Sequence, residues 1–165
     1  MFRFFNVLGA FVALGAAMIF ATAPASAQDL NVVTPEDMAT ALDGLGMDVQ
    51  FESLSDAEGP VLSSEASGFH FLVSFEACDD DGEECELIVF RCGLAMAPED
   101  QPDLELLNVW NDTRWGKAKM DEEGDPWIIL EINTVGGLTE DNLTDTIQWW
   151  TTLMDEFADF VGFEK

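Results

Sequence analysis

Three kinds of side chain in this sequence have the chemistry to make a site: three cysteines, one histidine and runs of carboxylates. Cys78, Cys85 and Cys92 lack the C-x-x-C spacing of redox and zinc sites. His70 is the sole histidine, so nitrogen donors for a metal are scarce. Asp79-Asp80-Asp81-Gly82-Glu83-Glu84 lies between two of the cysteines. An EF-hand calcium loop alternates its oxygen donors and closes on a Glu. Here three Asp are consecutive and the closing position is Ile88, so the segment reads as a solvated turn, as does Asp121 to Asp125. His70 has no Ser, Cys or acid motif arranged around it, and G-x-S-x-G, H-E-x-x-H and glycine-rich phosphate loops are missing. The expectation is no catalytic residue, no metal and no cofactor.

The cysteines are sorted by strand geometry. Phe69 to Cys78 and Cys85 to Leu94 are the strongest strand patterns and flank the acidic turn. If Cys78 faces Cys85, then Phe75 faces Ile88, Val73 faces Phe90, Phe71 faces Cys92 and Phe69 faces Leu94, all on one side. Glu76 with Leu87, Ser74 with Val89 and Leu72 with Arg91 fall on the other side, together with the two cysteines. One register thus yields a coherent apolar face, and it predicts a Cys78–Cys85 disulfide with Cys92 as a buried free thiol. His70 falls on the outer face.

A second hairpin is expected from Arg114 to Met120 and Trp127 to Thr134, around Glu122-Glu123-Gly124-Asp125. With the turn centred on Glu123, Ala118 faces Ile128 and Gly116 faces Leu130, under a helix. The opposite face carries Trp115, Lys117, Lys119, Trp127, Ile129 and Glu131. Interleaved Trp and Lys suit partner recognition and cation–π packing. Arg114, Trp115, Lys117, Lys119 and Trp127 are therefore the candidate binding residues. The competing reading is that these cations neutralise neighbouring acids and the rings are covered by the same chain.

The elements that position these residues follow from pattern and punctuation. Thr34-Pro35-Glu36-Asp37 is a helix start with the elements of a capping box, and Gly44 and Gly46 end that helix. Met47 to Leu54 and Val61 to Ser67 are strand candidates. Pro102 to about Asp112 reads as a second helix. Thr139 caps a long last helix through about Val161, with Leu143, Ile147, Trp150, Met154, Phe157 and Val161 along one stripe. Trp149, Leu153 and Phe160 widen that stripe, as a dimer interface or a broad core contact. The order favours an α+β fold: an antiparallel sheet with helices packed on one face.

The N-terminus addresses the chain. Arg3 gives a positive end, Val7 to Ala21 is uncharged and apolar, Pro24 breaks the run, and Ala25-Ser26-Ala27 is a small-x-small cleavage pattern. Residues 1–27 are expected to be a signal peptide, since the apolar run falls short of the roughly 20 residues a spanning helix needs. Cleavage leaves 138 residues as a single domain, with 5 basic and 33 acidic side chains and a net charge of −28. Such acidity excludes nucleic acid as a partner and opposes stable association with anionic membranes after cleavage. The expected location is the periplasm or the exterior, where disulfides persist.

The chain resembles the YbjN-domain family of bacterial sensory transduction regulators over roughly Thr34 to Gly162. Phe69-His70-Phe71 with Cys78 and Cys85 carries the likeness. So do Leu107-Asn108-Val109-Trp110-Asn111 followed by Arg114-Trp115-Gly116-Lys117-Ala118, the turn Asp121 to Pro126, and Trp149-Trp150. The resemblance implies a fold like that of type III secretion chaperones: a twisted antiparallel sheet with helices, often dimeric. It implies a regulatory or binding role without catalytic residues. From the residues themselves, Trp110 is expected to anchor the second helix, and Asn111 to satisfy carbonyls or adopt a left-handed turn near that helix's end. The expected function is an exported, non-enzymatic regulator or adaptor that contacts a protein partner, a second copy of the chain included. The alternative is a periplasmic small-ligand or cation-binding module.

Overall fold

The computed structural model describes residues 29–30, 32–54, 59–79 and 85–164. The expected signal peptide and most of the acidic turn after Asp79 lie outside them. Eleven elements are described: β1 (Asp29–Leu30), α1 (Pro35–Gly44), β2 (Val49–Glu52), β3 (Val61–Ala66), β4 (Phe69–Cys78), β5 (Cys85–Gly93), α2 (Leu104–Thr113), β6 (Lys117–Met120), β7 (Pro126–Asn133), β8 (Leu138–Thr139) and α3 (Glu140–Val161). The architecture is α+β. Six antiparallel strands run in the order β2-β3-β4-β5-β7-β6, and β1 pairs with β8 in a separate two-stranded ribbon.

Local chemistry sets the helix starts. Thr34 accepts the Asp37 N–H at 3.1 Å while Asp37 accepts the Thr34 N–H at 2.9 Å, a complete capping box before Pro35. Asp103 and Thr139 cap α2 and α3 with their side chains alone, accepting the N–H groups of Leu106 and Asn142. Gly162, in the left-handed region at φ 75°, ends α3.

The register of β4 on β5 is the expected one: Phe75 opposite Ile88, Val73 opposite Phe90, Cys78 opposite Cys85. Phe71, Val73, Phe75, Ile88, Phe90 and Cys92 are buried on one face of the sheet. The helices cover that face. Trp150 of α3 meets Phe71 and Phe90 at ring-centroid distances of 6.1 and 5.5 Å. Trp110 of α2 sits edge-on to Phe157 and Phe160 at 5.1 and 5.3 Å, which is the anchoring role expected of it. Leu153 is buried and Phe160 packs on the core, so these two widen the core contact of α3 while Trp149 stays outside.

The cysteines correct one expectation. Cys78 and Cys85 are bonded, but not on the open face of the sheet. Cys85 is buried in the core cluster and Cys78 packs against it. Ala77 has φ 52°, and this left-handed residue interrupts the two-residue alternation just before Cys78. Cys92 is a buried free thiol, and burial pushes its pKa up to about 11.

Candidate functional site

The hairpin β6–β7 carries most of the candidate binding residues. Lys117 pairs with Ile129, Ala118 with Ile128 and Lys119 with Trp127, the expected register. Ala118 and Ile128 face the helices and are buried, so Lys117, Lys119 and Trp127 fall on the open face. Trp127 is fixed there from three sides. Its Nε1–H donates to Asp121 Oδ2 at 2.8 Å. The Lys119 ammonium stands 5.6 Å from the ring centroid. Beneath the ring lies Gly93, where an added Cβ would come within 2.6 Å of it; the missing side chain is what lets the indole lie against β5.

Trp115 does not join that face. β6 begins only at Lys117, because Gly116 takes φ 75° and breaks the strand alternation. Arg114 and Trp115 therefore turn toward the helix layer. Trp115 is 72% exposed and meets Trp149 of α3, itself 46% exposed, at a centroid distance of 5.7 Å. Arg114 pairs with Glu156 at 3.1 Å and lies 5.8 Å from the centre of the Trp110 ring. The expected continuous Trp/Lys face is thus two surfaces. One is an exposed indole pair on the helix layer. The other is Lys117, Lys119 and Trp127 on the open sheet. Lys117 makes no ion pair among the described residues.

The centre of the open face holds a group that sequence reasoning passed over. Arg91 donates to Ser74 Oγ and to a Glu76 carboxylate oxygen, and Ser74 also donates to Glu76 at 3.0 Å. The guanidinium reaches the rows of Ser74 and Glu76, and Val89, opposite Ser74, is buried. Burial pushes the Glu76 carboxyl up, but the hydrogen bonds from Arg91 and Ser74 and the charge of Arg91 outweigh it and hold it below its ordinary value. The signal was present in the register: Arg91 opposite Leu72, with Ser74 and Glu76 two and four residues further on the same face. Beside this group a hollow of about 250 Å³ is walled by His70, Leu72, Arg91 and Trp127. His70 is on the outer face as expected, 3.5 Å from Glu65.

The second acidic turn is internally committed. Asp121 accepts hydrogen bonds from the N–H groups of Glu123 and Asp125 as well as from Trp127, and these hold its carboxyl below the usual range, the Trp127 bond most of all. Asp125 Oδ1 accepts from the N–H of Met96 at 2.9 Å and from Gln101. These carboxylates build the turn and leave few lone pairs for a cation. Among the described residues, no cluster of His, Cys, Asp and Glu has a metal-holding arrangement.

Asn111 has a different job from the one expected. Its side-chain amide reaches the edge strand β6: Nδ2 donates to the Ala118 carbonyl at 3.1 Å and Oδ1 accepts the Ala118 N–H at 2.7 Å. The Trp110-Asn111 to Ala118 segment thus fastens α2 to the sheet, Trp110 through the core and Asn111 through the edge.

No curated protein matches the chain. Among solved structures, one described as "YbjN, a putative transcription regulator from E. coli" is similar at 18% identity, covering 80% of this chain and 92% of that one with a TM-score of 0.47. Residues 34–163 match the family described as "YbjN: Putative bacterial sensory transduction regulator", and on that match the chain belongs to the YbjN family.

Proposed function

We propose that this chain is an exported, non-enzymatic regulator that works as an adaptor, binding a protein partner through the helix-layer surface built on Trp115 and Trp149. The observation that carries this reading is the exposed indole pair itself. Two large aromatic rings left in water beside each other supply apolar area at low entropic cost, the usual make-up of a protein-contact anchor. Each ring is placed by its own element, Trp115 by the Gly116 turn and Trp149 by α3, so the surface exists before a partner arrives. The Arg114–Glu156 pair stands beside it and gives the polar rim such contacts use. The family description as a regulator agrees with a role in contact rather than catalysis, and the N-terminal pattern of residues 1–27 supports export.

The test is genetic. A strain carrying Trp115→Ala and Trp149→Ala together is expected to show the transcript changes of a strain lacking the gene, with the protein still folded and present at normal level. A wild-type transcript profile in that strain would overturn the reading.

A further inference from the structure

We infer that the free edge of β2 takes an extended, cationic strand from a partner protein, which continues the six-stranded sheet. The sheet has two edges, β6 and β2. The β6 edge is blocked at Ala118 by the Asn111 amide. β2 pairs with β3 on one side, and on its other side none of its backbone groups bonds to another described residue. Alternate residues of an edge strand turn their N–H and C=O groups outward, a template for one more strand.

Side chains at this edge suit a particular occupant. Val49 and Phe51, opposite Ser64 and Leu62, lie on the helix-covered side, and Gln50 and Glu52 on the open side. Phe51 is 59% exposed, and Leu54 just beyond it is exposed too. An incoming strand with an apolar residue on the Phe51 side would cover that ring. On the polar side, a hollow of about 390 Å³ beside the edge is lined by Asp48, Gln50, Ser63, Glu65 and His70, with no Lys or Arg in its wall. Lys or Arg at alternate positions of the incoming strand would reach it. The sequence of such a strand therefore alternates basic and apolar residues, and backbone pairing supplies the affinity while the alternation supplies the selection.

A second copy of the chain fits badly. When β2 meets β2 antiparallel about Gln50, Asp48 of each copy faces Glu52 of the other, and like charges directly opposite are destabilising. The whole chain adds a net charge of −27 to each side. The acids that protect this edge against self-pairing are those that favour a cationic strand. This surface is at the far edge of the sheet from Trp115, so it is independent of the indole pair.

The experiment uses the signal-free chain with its disulfide intact and three labelled peptides of about ten residues. One alternates Lys and Val, one alternates Glu and Val, and the third is the Lys/Val peptide N-methylated at alternate backbone nitrogens. Binding is read by fluorescence anisotropy at roughly 0.15 M salt, where long-range attraction is screened, and the bound region by hydrogen exchange. The Lys/Val peptide is expected to bind and to slow exchange at residues 49–52. The N-methylated peptide, equal in charge, is expected to bind about tenfold or more weakly, roughly 1.4 kcal/mol. Asp48→Lys with Glu65→Lys should weaken binding by a similar factor, and Trp115→Ala should not change it. Equal binding of the methylated or the Glu/Val peptide, protection away from β2, no binding of the Lys/Val peptide, or dimerisation of the chain through β2 in sedimentation would each overturn the inference.

Discussion

The Asn111 side chain lies against the backbone of Ala118 as a neighbouring strand would, giving one hydrogen bond to its carbonyl and taking one from its N–H. A helix residue thereby completes the pairing of an edge strand. Asn111→Ala removes both partners at once and is expected to cost roughly 1–3 kcal/mol, the range for leaving such groups unpaired. Asn111→Asp keeps the acceptor and loses the donor, so it should fall between wild type and Ala. Urea unfolding followed by circular dichroism measures both.

Gly93 pairs with Trp127 across β5 and β7. Gly93→Ala would place a Cβ within 2.6 Å of the indole, and the ring is held by Asp121 through Nε1, next to that point of approach. The ring must swing away, at a cost of about 1–3 kcal/mol for overpacking. The expected readings are a lower urea midpoint and a changed Trp emission, compared in a Trp127→Phe background to assign the signal.

The disulfide closes a loop with a sequence separation of 7. On the chain-entropy account, Cys78→Ser with Cys85→Ser should lower stability by about 2–3 kcal/mol. In the native oxidised protein, thiol reagents should find no reactive group near neutral pH, because Cys92 is buried with its pKa raised to about 11. One thiol per chain should appear on denaturation.

Glu76 is held below its ordinary value of 4.5 by Arg91 and Ser74. A carboxyl with a depressed folded pKa stabilises the fold above its unfolded pKa, and that contribution is lost as pH falls through the folded value. Asp121, likewise held low by its hydrogen bonds, contributes in the same sense. The difference between wild type and Arg91→Gln isolates the Glu76 part. The stability gap between them is expected to be constant at neutral pH and to narrow below about pH 4.5, as read from melting temperatures.

The mature chain is expected to begin at Gln28. N-terminal sequencing of the protein from a periplasmic fraction checks this, and a full-length chain starting at Met1 in the cytoplasm would contradict export.

Pattern made much of this fold legible. The β4/β5 register followed from one requirement, that Phe71, Val73 and Phe75 share a face with Ile88 and Phe90. The long helix followed from its apolar stripe, and its start from Thr139. What escaped depended on single backbone conformations and on contacts distant in sequence. A two-residue period carried Trp115 onto the face of Lys117, but the left-handed Gly116 sends it to the other side. Ala77 did the same to Cys78, and no residue type announces φ > 0 at an alanine. Asn111 reaching Ala118 is an i to i+7 contact between elements, invisible to helix rules. Arg91, Ser74 and Glu76 were on the correct face in the register, yet a guanidinium spanning two rows is seen only in three dimensions.

On the proposed reading, the Trp115–Trp149 surface meets a partner after export. The most direct test places a photocrosslinking residue at position 149 of the full-length protein in living cells and identifies the products by mass spectrometry. One recurrent protein partner is expected in the exported fraction, lost with Trp115→Ala and kept with Lys117→Ala on the opposite face. Crosslinks confined to the chain itself, or none above background, would contradict it.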